Sequence, residues 1–148
     1  MMFYHKIIPP KEVMDLLIHD EHGVEQLDKY PSLQEREFVF RKLINAGRMD
    51  IFVYSSDILF CLTRQTKWIV RLDTVTKPNT SPYSLIKGYT KLVEFLPNLP
   101  YVKMETRTKN KKLIEVMERK IKGFTMEGIH MNCDDVGTTE YSGGWRIK

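Results

Sequence analysis

"NKKLIEVMERKIKGFTMEGI", residues 110–129, decides how this chain is read. Leu113, Ile114, Met117 and Ile121 recur at helical spacing, and Asn110 opens that helix. Gly123 permits the left-handed backbone in which a helix stops. Phe124 then leads "FTMEGIHMN", a strand-like run. The pattern predicts a helix that ends at a Gly-Phe joint and turns into a sheet, with Phe124 filling the space between the two layers.

Working upstream, "YVKMETRT" alternates Val102, Met104 and Thr106 against Lys103, Glu105 and Arg107, as a half-buried strand does. Before it, "SPYSLIKGYTKLVEFLPN" reads as a helix with Ser81 as cap and Pro82 in the first turn. Its buried face is predicted at Leu85, Tyr89, Leu92, Val93 and Leu96, and Pro97 ends it. Three runs rich in β-branched and aromatic residues precede this helix: "MDIFVYSS", "ILFCLTRQT" and "KWIVRLDTVTK". Their gaps are hairpin length, which predicts an antiparallel meander. Earlier still, "SLQEREFVFRKLINAG" pairs Ser32 with Glu35 at capping-box spacing, shows an apolar face of Phe38, Phe40, Leu43 and Ile44, and places Gly47 at the C-terminal cap. "PKEVMDLLIHD" reads as a helix faced by Val13, Leu16, Leu17 and Asp20, and "FYHKII" as a first strand stopped by Pro9-Pro10. "TTEYSGGWRIK" closes the series as a strand, with Gly143-Gly144 read as a flexible bend or bulge before Trp145.

The predicted order is β-α-α-β-β-β-α-β-α-β-β. It favours an α/β (α+β) mixed sheet with helices on both faces, in a single domain over 1–148. No apolar run is long enough to span a bilayer, and "MMFYHKII" has neither the apolar core nor the cleavage site of a secretory leader. With two cysteines, Cys61 and Cys133, both in apolar strand-like contexts, reduced structural thiols and a cytoplasmic setting are expected. The net charge is +4, and basic residues concentrate in residues 103–122. That run lacks interleaved aromatics, so it reads as a solvated helix face rather than a nucleic-acid groove.

With "TRTKN", an amphipathic helix, "KGF" and "MEG" in sequence, the second half resembles the Gcn5-related N-acetyltransferase (GNAT) superfamily. Asn110, Gly123, Phe124, Glu127 and Gly128 stand at the matching places. The resemblance implies that "WIVRLDTVT" and "YVKMETRT" are parallel central strands that splay apart to admit acetyl-CoA. It further implies pantetheine pairing along Thr74, Val75 and Thr76. The pyrophosphate would sit at the following helix start, on Thr80, Ser81, Tyr83, Ser84 and Leu85, with Asn110 nearby. Helix N-terminal amides favour anions on ordinary physical grounds. Asp73 and Glu105 are the candidate general bases.

Three features depart from the pattern. The family's phosphate turn, Gln/Arg-x-x-Gly-x-Gly/Ala, places glycines where the diphosphate approaches the backbone. With Thr80 in first position, Tyr83 and Leu85 stand in the glycine places, Pro82 removes an amide, and Gly88 comes too late. Lys77 and Lys87 add point charges but no amide nest. The family's usual acid, a Tyr four residues before the Gly-Phe joint, is here Arg119, no tyrosine stands between 102 and 140, and Asn110 lies two residues farther from Gly123 than usual.

Other constellations carry less. "HDEH", residues 19–22, points its groups in different directions, so no metal site is expected. His130 is isolated, and Cys133 beside Asp134-Asp135 has no neighbouring base. Trp145 is expected to pack on the sheet rather than to face a partner. "HDEHGVEQLDKYP" takes the place where the family lines its acceptor site, and its length suits a specificity loop.

The resemblance therefore implies a GNAT-like protein with an altered acetyl-CoA turn. The first expectation is a non-catalytic protein that binds a protein partner, like small phage-encoded proteins of this fold that serve in virion assembly, in the host cytoplasm or the virion. The alternative is an acetyl-CoA-dependent N-acetyltransferase acting on a primary amine. Self-association is compatible with both, and neither a membrane nor nucleic acid is an expected partner.

Overall fold

The computed structural model describes residues 3–5, 11–18, 32–133 and 136–147. "HDEH", the 19–31 connection and the predicted face position Asp20 lie outside the described residues. Elements follow the predicted order: β1 (Phe3–His5), α1 (Lys11–Ile18), α2 (Leu33–Asn45), β2 (Met49–Val53), β3 (Ile58–Arg64), β4 (Ile69–Thr76), α3 (Pro82–Phe95), β5 (Lys103–Thr108), α4 (Lys111–Lys120), β6 (Phe124–His130) and β7 (Glu140–Arg146). They form a mixed sheet with helices, and the chain divides into two compact units.

The first unit spans Met1–Arg64 and Asp73–Leu85, with strand order β1-β2-β3-β4. β1 and β2 pair antiparallel through Tyr4↔Phe52, as do β2 and β3 through Ile51↔Cys61. From Ile58 to Thr63 every β3 residue is buried. A strand covered on both faces needs a continuous apolar run rather than an alternating one, and "ILFCL" supplies it. Met14, Leu17 and Ile18 of α1 join Phe40 and Ile44 of α2 over Ile51, Leu59, Cys61 and Val75. Burying each such aliphatic or aromatic side chain contributes roughly 1.5–3 kcal/mol before entropy is counted.

Two faces differ from expectation. α1 buries Met14, Leu17 and Ile18, a ridge turned slightly from the predicted Val13–Leu16–Leu17 face. On α2, Phe38 is 67% exposed while Phe40 and Ile44 are buried. Phe38 and Phe40 are two residues apart, about 200° around a helix, so a single stripe cannot hold both. The caps follow the sequence. Ser32 Oγ accepts from the Glu35 amide at 3.1 Å, and Gly47 takes a φ of 69° past the end of α2. α1 has no basic residue in its last turn, and Arg36 Nη1 of α2 donates to the Ile18 carbonyl at 3.1 Å in its place.

The second unit spans Gln65–Leu72 and Ile86–Lys148, with strand order β4-β5-β7-β6. β4 and β5 run parallel through Val70↔Met104 and Leu72↔Thr106. β7 inserts between β5 and β6, antiparallel to both, with an irregularity between Met126 and Gly128. α4 is capped by Asn110, whose Oδ1 accepts from the Leu113 amide at 3.0 Å, and it buries Ile114 and Met117. Tyr89, Leu92 and Leu96 are buried on the α3 side, with Leu85 and Val93 half-buried, so the predicted face holds. α3 ends at Phe95 in a 3-10 turn, Leu96–Asn98, with Pro97 inside it.

Gly123 has a φ of 83°, and Phe124 is buried behind it, as the joint predicts. Phe124 packs on Trp145 with ring centroids 4.7 Å apart, and Tyr89 stacks on Trp145 at 6.3 Å. Trp145 is 1% exposed, so it packs on the sheet. Gly143-Gly144 is no flexible bend: both residues lie inside β7, with the β6 irregularity between Met126 and Gly128 opposite Gly143 and Ser142. A Cβ on Gly143 would fall 2.3 Å from Phe124 Cζ, and one on Gly144 would fall 2.6 Å from the Met104 carbonyl oxygen. Close backbone approach, not flexibility, requires glycine at both positions. Cys61 is buried as expected, whereas Cys133 lies beyond β6 and is exposed, so it is not a core thiol.

Candidate functional site

In the first unit, the segment joining β4 to α3 is closed on itself. Asn79 takes a φ of 65°, which turns the chain so that the Thr80 amide and hydroxyl both donate to the Lys77 carbonyl, at 3.3 and 2.6 Å. The Lys77 amide donates to the Asp57 carbonyl at 2.9 Å, and its ammonium lies 3.5 Å from the Asp57 carboxylate. Ser81 Oγ then accepts from the Ser84 amide at 3.2 Å, and the Ser81 carbonyl accepts from the Leu85 amide at 3.1 Å.

This arrangement decides what the head of α3 offers an anion. A helix presents its uncommitted first-turn amides to such a ligand. The first helical residue, Pro82, has no amide hydrogen, and the third, Ser84, already donates to Ser81. Tyr83, between them, is 69% exposed and carries a bulky ring where close approach needs bare backbone. Two of the first three helical positions, Pro82 and Ser84, therefore offer an anion no free amide.

The other predicted positions of this unit lie along β4. Val75 is 0% exposed and belongs to the core, while Thr74 and Thr76 are half-buried. Asp73 is 8% exposed, so it is a buried carboxylate rather than a solvent-facing strand residue. It shares a sheet face with Val75 by the two-residue period of the strand.

Glu105 lies in the second unit, in a cavity of about 380 Å³ that Arg71, Arg107, Glu127, His130 and Ser142 also line. Strand pairing assembles it. Arg71 on β4 faces Glu105 on β5, Arg107 on β5 faces Ser142 on β7, and Gly128 on β6 faces Ser142. His130 Nε2 shares a hydrogen bond with Ser142 Oγ at 3.0 Å, so the isolated histidine has a structural partner. Lys103 bridges two carboxylates: its ammonium donates to Glu127 Oε2 and lies 3.3 Å from Glu105 Oε1. The Glu127 hydrogen bond raises the Lys103 pKa above its ordinary 10.5, against desolvation and with help from Glu105. Glu105 is thus oriented by an ion pair with Lys103, in a cavity that Arg71 and Arg107 also line.

Asn110, predicted near a cofactor, has its side-chain oxygen committed to the cap of α4. Arg119 is exposed in the last turn of that helix. Sequence reading missed Arg71, Arg107 and Ser142 as cavity residues. Each is ordinary in a strand, and only the register across β4, β5 and β7 brings them to one place. Among the described residues, no cluster of His, Cys, Asp and Glu has the makings of a metal site, and no helix is long and apolar enough to cross a membrane.

No protein-family model and no curated protein matches the sequence. Solved structures do. The spermidine/spermine N-acetyltransferase SpeG from Vibrio cholerae, in complex with manganese ions, is similar with a TM-score of 0.73 at 13% identity, over 99% of this chain and 92% of that one. An acetyltransferase of the GNAT family from Streptococcus pneumoniae gives 0.63 at 15% identity over 100% of both chains. One from Bacillus cereus gives 0.58 at 20% identity, over 100% of this chain and 99% of that one. At these identities the likeness is one of architecture, and it agrees with the element order and the Gly-Phe joint: the chain has the GNAT acetyltransferase fold.

Proposed function

We propose that this protein uses the GNAT fold as a binding scaffold, without turning over acetyl-CoA. The observation that carries the reading is the closed head of α3. Pro82 supplies no amide, the Ser84 amide is engaged by Ser81, and Tyr83 stands in a glycine place. Coenzyme A binding in this fold draws on helix-start amides for its diphosphate. With no amide on Pro82 and the Ser84 amide already engaged, the ligand gains less from this helix start. The partner on this reading is another protein, and the resemblance to small phage-encoded proteins makes a virion or assembly component the natural setting.

Calorimetric titration with acetyl-CoA tests this directly. The expected outcome is no saturable heat at millimolar ligand, and saturation in the micromolar range would overturn the scaffold reading.

A second reading has its own support. Asp73 is a buried carboxylate and Glu105 an oriented one, and SpeG-type neighbours are N-acetyltransferases of spermidine. On that reading one of the two carboxylates takes the proton of a primary amine as it attacks the thioester. The amine nitrogen bonds to the acetyl carbon, the carbon–sulfur bond breaks, and coenzyme A leaves as a thiol. Thiol release from acetyl-CoA in the presence of spermidine, abolished in Asp73→Asn or Glu105→Gln, would favour it over the scaffold.

A further inference from the structure

We propose that a groove at the end of the second unit binds an acidic, aliphatic-anchored peptide segment of a partner protein. The inference builds on the protein-binding reading above and names the surface and the chemistry of the partner. The groove holds about 530 Å³ and is formed by the C-terminal end of α3, the α4–β6 joint and the end of β7.

Its walls are apolar: Leu96 and Ile121 are buried, and Val93 and Ile147 are half-buried beside them. Its rim is cationic. Lys120, Lys122 and Arg146 are exposed, and none has an ion-pair partner among the described residues. Glu94, the acidic residue of the rim, is drawn toward Lys91 at 3.4 Å. Trp145, which lines the groove, is 1% exposed, and its indole nitrogen finds no acceptor among the described residues. An indole N–H is a donor only, and a buried donor without an acceptor is costly.

These features ask for one kind of occupant. An aliphatic side chain covers the apolar wall, and flanking carboxylates meet the three cations. An inorganic anion satisfies the rim and leaves the wall wet. A nucleic acid does the same, because its phosphates carry no aliphatic group. Charge complementarity around a desolvated apolar centre sets which partner such a groove accepts.

The test uses the full chain with Trp68→Phe, so that Trp145 gives the single indole N–H signal in nitrogen–proton NMR spectra. The probes are blocked hexapeptides of four acidic and two aliphatic residues in every order, the same set with lysine replacing each acid, and sodium acetate alone. An acidic peptide is expected to shift the indole signal saturably. Lys120→Glu with Lys122→Glu should weaken it at least about tenfold, both positions being exposed and tolerant of change. An unmoved indole signal at millimolar peptide overturns the proposal, as does an equal shift with the lysine set or with acetate alone. Failure here is distinct from failure of the scaffold reading, which the acetyl-CoA titration decides at α3.

Discussion

Gly143 lies directly beneath the ring of Phe124, so close that a methyl group on it would reach to 2.3 Å of Cζ and 2.8 Å of the Thr125 carbonyl oxygen. Phe124 cannot give way, because Trp145 packs against it at 4.7 Å. Gly143→Ala is therefore expected to destabilise the fold by about 1–3 kcal/mol, the usual range for overpacking a filled core. The midpoint of urea unfolding should fall with the slope unchanged. Gly47→Ala is the contrast: nothing lies within 4 Å of its Cβ, and only its φ of 69° opposes the change, at a cost of about 1 kcal/mol.

Asn110 caps α4 through its side-chain oxygen, and Ser81 does the same for α3. Asn110→Ala should cost about 1 kcal/mol of stability, while Asn110→Asp should cost little, since aspartate accepts from the same amide. Thermal unfolding distinguishes the two variants.

Lys103 holds Glu127 and Glu105 together and has a raised pKa in the folded state. A raised pKa means that the folded protein binds this proton more tightly than the unfolded chain does. The resulting stabilisation is fully present below 10.5, the ordinary lysine value, and is lost as pH rises through the raised one. Glu127→Gln removes the first cause of the shift. Between roughly pH 10 and 12 the unfolding midpoint of this variant should fall less steeply than that of the parent.

The two thiols should separate in reactivity. Cys133 is exposed, with its thiol donating to the His130 carbonyl at 3.1 Å, and Cys61 is fully buried. Partial desolvation and the Glu140 carboxylate push the Cys133 thiol above its ordinary pKa, which favours the thiol over the thiolate. Titration with a disulfide reagent at pH 8 is expected to label Cys133 slowly in the native state and Cys61 only after denaturant is added.

Local chemistry made the elements legible. Ser32, Gly47, Ser81, Asn110 and Gly123 each act within a few residues of themselves, so their roles can be read from spacing alone. The β-α-α-β-β-β-α-β-α-β-β order followed from periodicity, and so did the joint at Gly123 and Phe124. What failed was orientation. Phe38 looked like part of an apolar stripe, and Gly143-Gly144 looked like a flexible bend or bulge, because neither their neighbours across the sheet nor their rotation about a helix appears in a linear string.

The sequence by itself determined the elements and their caps, which depend on bonds and sterics among near neighbours. Tertiary structure alone decided the rest. It brought Arg71, Glu105, Arg107 and Ser142 to one cavity, buried Asp73, and left the Trp145 indole without an acceptor among the described residues. Strand register sets those outcomes. A shift of one residue turns every side chain to the opposite face, and the register is fixed by packing between segments far apart in the chain.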